Sequence, residues 1–286
     1  MAIMSNQAGE RVTRDFHFTG QDFARVQRMI YDHAGINLND SKEQMVYSRL
    51  ARRLRSLGIG SFAAYLDLLK DAGHPEWEHF INALTTNLTS FFREAHHFDI
   101  LAEHLKKRTS RGPVRIWCSA ASTGEEPYSL AITACEAFNT MTPPVQIVAT
   151  DIDTNVLATA EKGVYGMDRV ERLSKERMQR FFLKGTGAQA GFARVRPELQ
   201  RLIEFKRINL LDTRWALQGP FDHMFCRNVM IYFDKPTQHA ILKRFVPLLK
   251  LDGLLFAGHS ESFLHAADLF RSLGRTVYER TDARDR

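Results

Sequence analysis

Apolar residues recur at helical spacing through the first part of the chain. In TGQDFARVQRMIYDHAG, Phe23, Val26, Ile30 and Ala34 fall on one face of a helix. SKEQMVYSRLARRLRSLG sets Ser41 and Gln44 at capping-box spacing, turns Met45, Val46, Leu50, Leu54 and Leu57 inward, and stops at Gly58. Ser61 is placed to cap SFAAYLDLL, and Pro75 suits the first turn of HPEWEHFINALTTN. Residues 19–88 therefore predict a small helical domain, preceded by a flexible N-terminus, residues 1–18. After Phe92 short apolar strands alternate with helices, the signature of a parallel sheet covered on both faces. The pattern predicts strands at 114–120, 145–150, 203–209, 221–227 and 253–258, with a late edge strand near 276–280. The interval from Ala160 to Ile203 is too long for a simple connection, and FFLKGTGAQAGFARVRPEL within it reads as a glycine-turned hairpin inserted into the larger domain, 89–286, at about 165–202. The most loop-like stretch near a boundary is RTSRGP, residues 108–113.

Composition narrows the class without fixing it. A chain of 286 residues, 44% hydrophobic and 25% charged, can bury one large core or two modest ones. It holds no apolar run of about 18 residues, and MAIMSNQAGERVTRD lacks the apolar block of a signal peptide. A cytoplasmic location without membrane insertion is expected. The three cysteines are an odd count, and Cys118 and Cys226 lie in strand-like runs, so neither disulfides nor a thiolate metal site is expected. His96 and His97 are adjacent, which on a helix points them about 100° apart; with His259 they complete no metal-ligand spacing, and no metal is expected. The formal charge of +6 suggests an acidic partner, which could be nucleic acid, an anionic membrane or an acidic protein.

The stretch CSAASTGEEPYSLA, 118–131, is more informative. It joins the first predicted strand to a helix, where open α/β sheets bind their ligands. A helix N-terminus favours anions, yet Glu125 and Glu126 would repel a pyrophosphate, and the triple-glycine pattern for close approach to one is missing. A nucleoside without phosphates and with cationic groups fits better, and S-adenosylmethionine has that character. VQIVATDID ends its strand in Asp151, where an acidic residue commonly accepts hydrogen bonds from ribose hydroxyls. Taken singly, the glutamates could instead complement the helix dipole and Asp151 could cap the next helix.

The blocks TTNLTSFFRE (85–94), ASTGEEPYS (121–129), ATDID (149–153), FCRNVMIYF (225–233) and GLLFAGHSE (253–261) resemble, in order, the signature blocks of the chemotaxis receptor glutamate methyltransferases, the CheR type. The resemblance runs from about residue 19 to residue 280. It implies an α/β fold: a Rossmann-like S-adenosylmethionine methyltransferase domain with a small antiparallel β insertion, preceded by a small all-α domain. It implies methyl transfer from S-adenosylmethionine to chemoreceptor glutamates, leaving S-adenosylhomocysteine. On matching positions it gives Asn87, Thr89 and Arg93 to the interdomain segment touching the cofactor, Arg93 near the methionyl end. Glu126 and Asp151 match cofactor-binding acids, Asn209 and Leu210 the adenine side, Arg227 and Asn228 a contact after the fourth strand, and Tyr232 a tyrosine near the transferred methyl. By their residue types alone, Arg93 and Arg227 would read as ion pairs and Tyr232 as a packed aromatic.

A glutamate with a pKa of roughly 4.3 is already a nucleophile at neutral pH, so no general base is needed. The catalytic task is to exclude water and align the groups, and Arg93 and Tyr232 are the candidates for positioning. Two features suit a receptor. Arg49, Arg52, Arg53 and Arg55 fall within about half a helix circumference and are expected to dock acidic receptor helices. The second arm of the hairpin, expected at a sheet edge, alternates Val195 with Arg194 and Arg196 and would accept a receptor's C-terminal tail as an added strand. There the resemblance puts Gly185, Gly191 and Arg194 nearest the peptide; Lys184 keeps charge without an arginine's planar fork. The expected protein is a monomer, recruited to membrane-bound receptor clusters and taking no nucleic acid. Two other classes remain: a nucleic-acid methyltransferase, which the arginines would suit although RNVMIYF offers no base-methylating tetrapeptide, and an adaptor that binds the cofactor without turnover.

Overall fold

The computed structural model describes residues 15–107 and 112–284. Most of the expected flexible N-terminus and residues 108–111 of the expected loop lie outside them. The chain divides into two compact units: residues up to Met29 with Leu38–Leu84, and Ile30–Asn37 with Thr85–Arg286.

The first unit is built on α1 (Gly20–Ala34), whose residues from Ile30 on group with the second unit, and on α2 (Glu43–Leu57), α3 (Phe62–Leu68) and α4 (Glu76–Leu84). Thr19 and Asp22 cap α1 reciprocally: the Asp22 amide donates to Thr19 Oγ1 at 3.1 Å and the Thr19 amide to Asp22 Oδ2 at 3.0 Å. The predicted cap at Ser41 is corrected. A 3-10 turn, Asp40–Lys42, precedes α2, and the Ser41 hydroxyl bonds Asn39 Oδ1 at 2.5 Å. Ser61 does cap α3, accepting from the Ala64 amide at 3.2 Å. Val46, Leu50 and Leu54 are buried as expected, whereas Leu57 is 42% exposed, because the helix ends there in left-handed Gly58. Phe16 and Phe18, in the stretch expected to be flexible, instead pack on Phe62, with ring centroids 6.3 and 4.4 Å away.

The second unit opens with α5 (His96–Lys107), β1 (Val114–Cys118), α6 (Glu125–Ala137), β2 (Val145–Asp151) and α7 (Thr154–Lys162). Then come β3 (Val164–Gly166), α8 (Met167–Val170), α9 (Lys175–Phe181), β4 (Phe182–Lys184), β5 (Phe192–Val195) and α10 (Pro197–Gln200). It closes with β6 (Ile203–Arg207), β7 (Phe221–Cys226), α11 (Lys235–Phe245), β8 (Leu249–Ala257), β9 (Phe270–Gly274) and β10 (Val277–Arg280). The main sheet has the order β6-β2-β1-β7-β8-β10-β9. Its pairs are parallel from β6 to β8, and β10 runs antiparallel between β8 and β9. This is a Rossmann-like sheet. Side chains alternate across it: Ile116 and Cys118 face the core with α5 and α6, and Trp117 faces the core with α11. The predicted late edge strand is thus interior, and the edge is β9, which shows little alternation because only Phe270 of FRSLG is buried.

The expected edge position of the hairpin's second arm is corrected here, and residues 30–37, within the expected helical domain, have partners in the larger unit. The Asn37 amide donates to the Tyr232 carbonyl at 2.9 Å, and Asn209 Nδ2 to the His33 carbonyl at 2.7 Å. A Cβ on Gly35 would stand 2.9 Å from the Phe233 ring. The insertion is a three-stranded antiparallel sheet of order β3-β5-β4. Its second arm, β5, is therefore the central strand, because β3, unforeseen in the pattern, pairs Val164, Tyr165 and Gly166 against it.

Candidate functional site

The candidate site lies at the carboxyl ends of β1, β2 and β7. After β1 the chain turns through Ser122 and Gly124, both at positive φ, into α6. Only glycine fits at 124: a Cβ there would lie 2.6 Å from the Tyr165 hydroxyl and 2.8 Å from the Ala160 Cβ. Asp151, the last residue of β2, accepts the Ser122 amide at 2.8 Å and the Asp153 amide at 3.0 Å. Burial pushes its pKa up to about 6, against the opposing pull of those two amides. Asp153, absent from the expected site, ties this region together. One of its oxygens caps α7 at the Asn155 amide, 2.9 Å, and the other accepts from Thr85 Oγ1 at 2.7 Å and Asn87 Nδ2 at 2.9 Å. Asn87 thus sits beside the end of β2. ATDID carried the signal, since a second aspartate two residues beyond the strand-end acid can serve as helix cap and clamp.

Beneath the end of β1 is an ion-pair cluster. Arg227 Nη1 donates to Glu126 Oε2 at 2.7 Å, Nη2 lies 3.2 Å from Glu94 Oε2, and Nη2 also bonds the Arg93 carbonyl. Cys118 Sγ donates to Glu126 Oε1 at 3.3 Å. Burial raises the Glu126 pKa despite Arg227. Glu94 goes the other way: burial would raise it, but the His259 amide and Arg227 together hold it below the ordinary value. Arg227 is therefore an internal clamp, as the reading by residue type had it. It fixes the 93–94 segment, where Phe92 and Glu94 have positive φ, to the sheet. Arg93 itself points elsewhere, its Nη1 on the Leu88 carbonyl at 2.9 Å, and the Thr89 carbonyl faces Arg169 Nη2 at 3.4 Å. His97, buried under this segment, bonds the Arg275 carbonyl at 2.9 Å, and burial drives its pKa down to about 4, leaving it neutral at pH 7.

After β7, Asn228 has φ of 57°, and Gly258 packs so closely that a Cβ would be 2.4 Å from Asn228 Nδ2. Glu261, also unforeseen, holds this turn: its carboxylate accepts the amides of Asn228, Val229, Met230 and Gly258 at 2.9, 2.9, 2.8 and 2.5 Å. The block GHSE contained it without revealing its partners. Tyr232, half-buried, directs its hydroxyl to the Thr86 carbonyl at 3.4 Å. Asn209 has both amide atoms engaged, Oδ1 by the Leu211 amide at 3.0 Å and Nδ2 on residue 33, and Leu210 is buried. Glu125, fully buried, accepts from Thr123 Oγ1 at 2.6 Å and pairs with Arg169.

The arginine face on α2 is largely committed within its own unit. Arg53 makes a bidentate pair with Glu76, 2.7 and 2.6 Å, Arg55 pairs with Asp15 at 2.8 Å, and Arg49 Nη1 donates to the Ala83 carbonyl at 3.2 Å. Of the four, Arg52 is the one that stays exposed without a hydrogen bond or ion pair among the described residues. In the small sheet Arg194 is exposed, Gly191 has φ of 89°, and Gly185 is obligatory because a Cβ would fall 1.9 Å from the Gln189 carbonyl oxygen.

Buried carboxylates at the ends of β1 and β2, with no cradle of glycines for phosphate, suit a ligand that brings hydroxyl donors and positive charge. S-adenosylmethionine meets that donor set. A family model described as "CheR methyltransferase, SAM binding domain" matches residues 87–279, and "CheR methyltransferase, all-alpha domain" matches residues 21–85. The chain is 56% identical over 266 residues to chemotaxis protein methyltransferase 2 of Pseudomonas aeruginosa, covering 93% of this chain and 95% of that one. It is 51% identical over 269 residues to the chemotaxis protein methyltransferase of Escherichia coli, covering 94% and 93%. With residues 21–85 and 87–279 matched by the two family models, the chain belongs to the CheR family of S-adenosylmethionine-dependent chemotaxis protein methyltransferases.

Proposed function

We propose that the protein esterifies glutamate side chains of chemoreceptors in chemotaxis adaptation. The observation that carries this reading is the pair of buried acids, Asp151 and Glu126, at adjacent strand ends, in a chain whose relatives are named chemotaxis methyltransferases over almost their whole length. S-adenosylmethionine supplies a methyl carbon on a sulfonium; a glutamate carboxylate oxygen takes that carbon while the sulfur keeps the electron pair of the broken bond. The protein's own residues bind, orient and exclude water. Asp151 would accept the ribose hydroxyls, and Glu126 offers negative charge to the cationic end. Asn87, Thr89 and Arg93 would touch the cofactor, Arg93 near its methionyl end, Asn209 and Leu210 would meet the adenine side, and Asn228 would add a contact after the fourth parallel strand. Arg227 acts one step back, holding Glu126 and Glu94 in place. The Tyr232 hydroxyl, on a short turn after β7, would orient the attacking group.

The partners on this reading are the receptor's cytoplasmic helices and its C-terminal tail. Arg52 is the exposed member of the basic face. A tail peptide would add to the outer edge of β4, since β5 is paired on both sides, with Arg194 supplying charge from the exposed face. Such a tether raises local concentration without altering the chemical step. No helix of the described residues is long and apolar enough to cross a membrane, which fits action from the cytoplasm on receptor clusters.

Incubation with methyl-labelled S-adenosylmethionine and separate receptor-fragment, RNA and DNA substrates tests the proposal. Base-labile label on the receptor fragment alone is expected; label on nucleic acid, or binding without turnover on any substrate, overturns it. For the tether, Gly191→Val with Arg194→Glu should abolish binding of a receptor tail peptide while cofactor affinity stays unchanged.

A further inference from the structure

The inserted subdomain touches the 122–125 loop directly, through two side chains. Tyr165, in β3, is 4% exposed, and its hydroxyl donates to the Thr123 carbonyl at 2.8 Å. The same hydroxyl lies against Gly124, where with Ala160 it leaves no room for a Cβ. Four residues on, Arg169 in α8 brings one guanidinium nitrogen to three acceptors: the Thr89 carbonyl and Thr123 Oγ1, each at 3.4 Å, and the buried Glu125 carboxylate. These acceptors come from two separate segments of the site, 87–89 and 122–126. The far side of β3 is fixed to β5, and the Met167 amide at the start of α8 donates to the Gly191 carbonyl at 3.0 Å. Glu125 is fully buried, so a partner for its charge matters more than at a surface.

We propose that Arg169 and Tyr165 are positioning residues for methyl transfer: they lock the 122–125 loop against the 87–89 segment, so that the insertion sets cofactor affinity as well as carrying any receptor contact. The inference rests on the reading of the 122–126 loop as cofactor-binding. The Arg169 side chain is 41% exposed, and its hydrogen-bond partners among the described residues all lie in the 87–89 and 122–126 segments, so its loss acts on those segments first. A loop that must be reordered on binding weakens affinity by the fraction of time it spends ordered. Cofactor affinity and its KM should then respond, with kcat changing little once the site is filled.

The full chain is titrated with S-adenosylhomocysteine by calorimetry, and methyl transfer to a receptor fragment is followed in parallel. Arg169→Ala should weaken binding about tenfold or more, the scale of a lost charge-assisted hydrogen bond. KM for S-adenosylmethionine should rise to match, with kcat within about threefold of wild type. Arg169→Lys, which keeps the charge, should recover most of the loss, and Tyr165→Phe should give a smaller effect in the same direction. An affinity within twofold of wild type in folded Arg169→Ala overturns the inference, as does a loss confined to kcat. Should Arg169→Ala fail to fold, Arg169→Gln and Tyr165→Phe decide: unchanged affinity in both overturns it. Asp151→Ala separates the underlying reading from the inference. If it too leaves affinity unchanged, the loop reading itself has failed; if it alone weakens binding, only the positioning role has.

Discussion

Arg53 and Arg227 each meet a buried glutamate, Arg53 on Glu76 within the helical unit and Arg227 on Glu126 beneath the end of the sheet. The two carboxylates are similarly shielded from water, 4% and 8% exposed, yet their titration is displaced in opposite directions. For Glu76, burial would raise the pKa, but two bonds from Arg53 and one from the Tyr65 hydroxyl at 2.9 Å outweigh it, and the acid is held below its usual value. For Glu126, burial wins over Arg227, because much more protein surrounds it and, among the described residues, the hydrogen-bond donor to one of its oxygens is a thiol. The first pair is satisfied and serves as a clip between α2 and α4. In the second, burial outweighs the arginine, and on the proposed function the cationic end of the cofactor would add the missing positive charge. A satisfied acid builds structure, and an under-satisfied one is ready for a ligand.

Removing the arginine on each side breaks the comparison most directly. Arg227→Ala should cost about 3–5 kcal/mol, since Glu126 and Glu94 are left buried without their counter-ion, and methyl transfer should be lost. Unfolding in urea measures the first; near wild-type stability would contradict the clamp. Arg53→Glu sets a second acid against Glu76 and should destabilise on the order of 2–3 kcal/mol, less because the arginine is partly in water. Thermal unfolding reads this, and an unshifted midpoint with slowed methylation would return Arg53 to a docking role.

Asp151 sharpens the contrast from the ligand's side. Asp151→Ala in a folded chain should weaken cofactor binding by about 1.5–3 kcal/mol for each lost bond to the carboxylate. The folded pKa of about 6 lies above the ordinary carboxylate value. The group's contribution to stability is therefore full in acid and is lost as pH rises through about 6, whereas affinity that needs the ionised form falls as pH drops through the same range. Calorimetry from pH 5 to pH 8 should trace that fall in the wild type, and Asp151→Asn should flatten it. The smallest effect belongs to Arg52→Glu, expected to slow methylation of a receptor fragment a few-fold and to weaken its salt dependence. Equal rates across salt concentrations would remove α2 from the receptor interface.

Much of this was legible in the sequence where one residue type served one physical demand. The stop at Gly58, the cap at Ser61 and the strands that end in Cys118, Asp151 and Cys226, within one or two residues of the expected ends at 120, 150 and 227, follow from local pattern and conformation. Partner choice was not legible. Nothing in YSRLARRLRSLG distinguishes Arg53, which reaches a glutamate 23 residues away, from Arg52, which reaches none among the described residues. Short strands such as β3 and β9 escaped because three to five residues with a single buried side chain have no period to detect. Glu261 and Asp153 escaped because their partners are backbone amides and distant side chains, which leave no mark on composition.

The residues between Ile30 and Asn37 carry a consequence for how the chain is made. They leave the ribosome early, yet the Asn209 side chain that holds the His33 carbonyl follows 176 residues later. Closing a loop of that length carries an entropic cost that local contacts do not. The contacts that this turn makes with Asn209, Tyr232 and Phe233 therefore cannot form until those residues have been synthesised. A fragment starting at Thr85 would lack those contacts altogether, so the two units cannot be separated by a single cut in the chain.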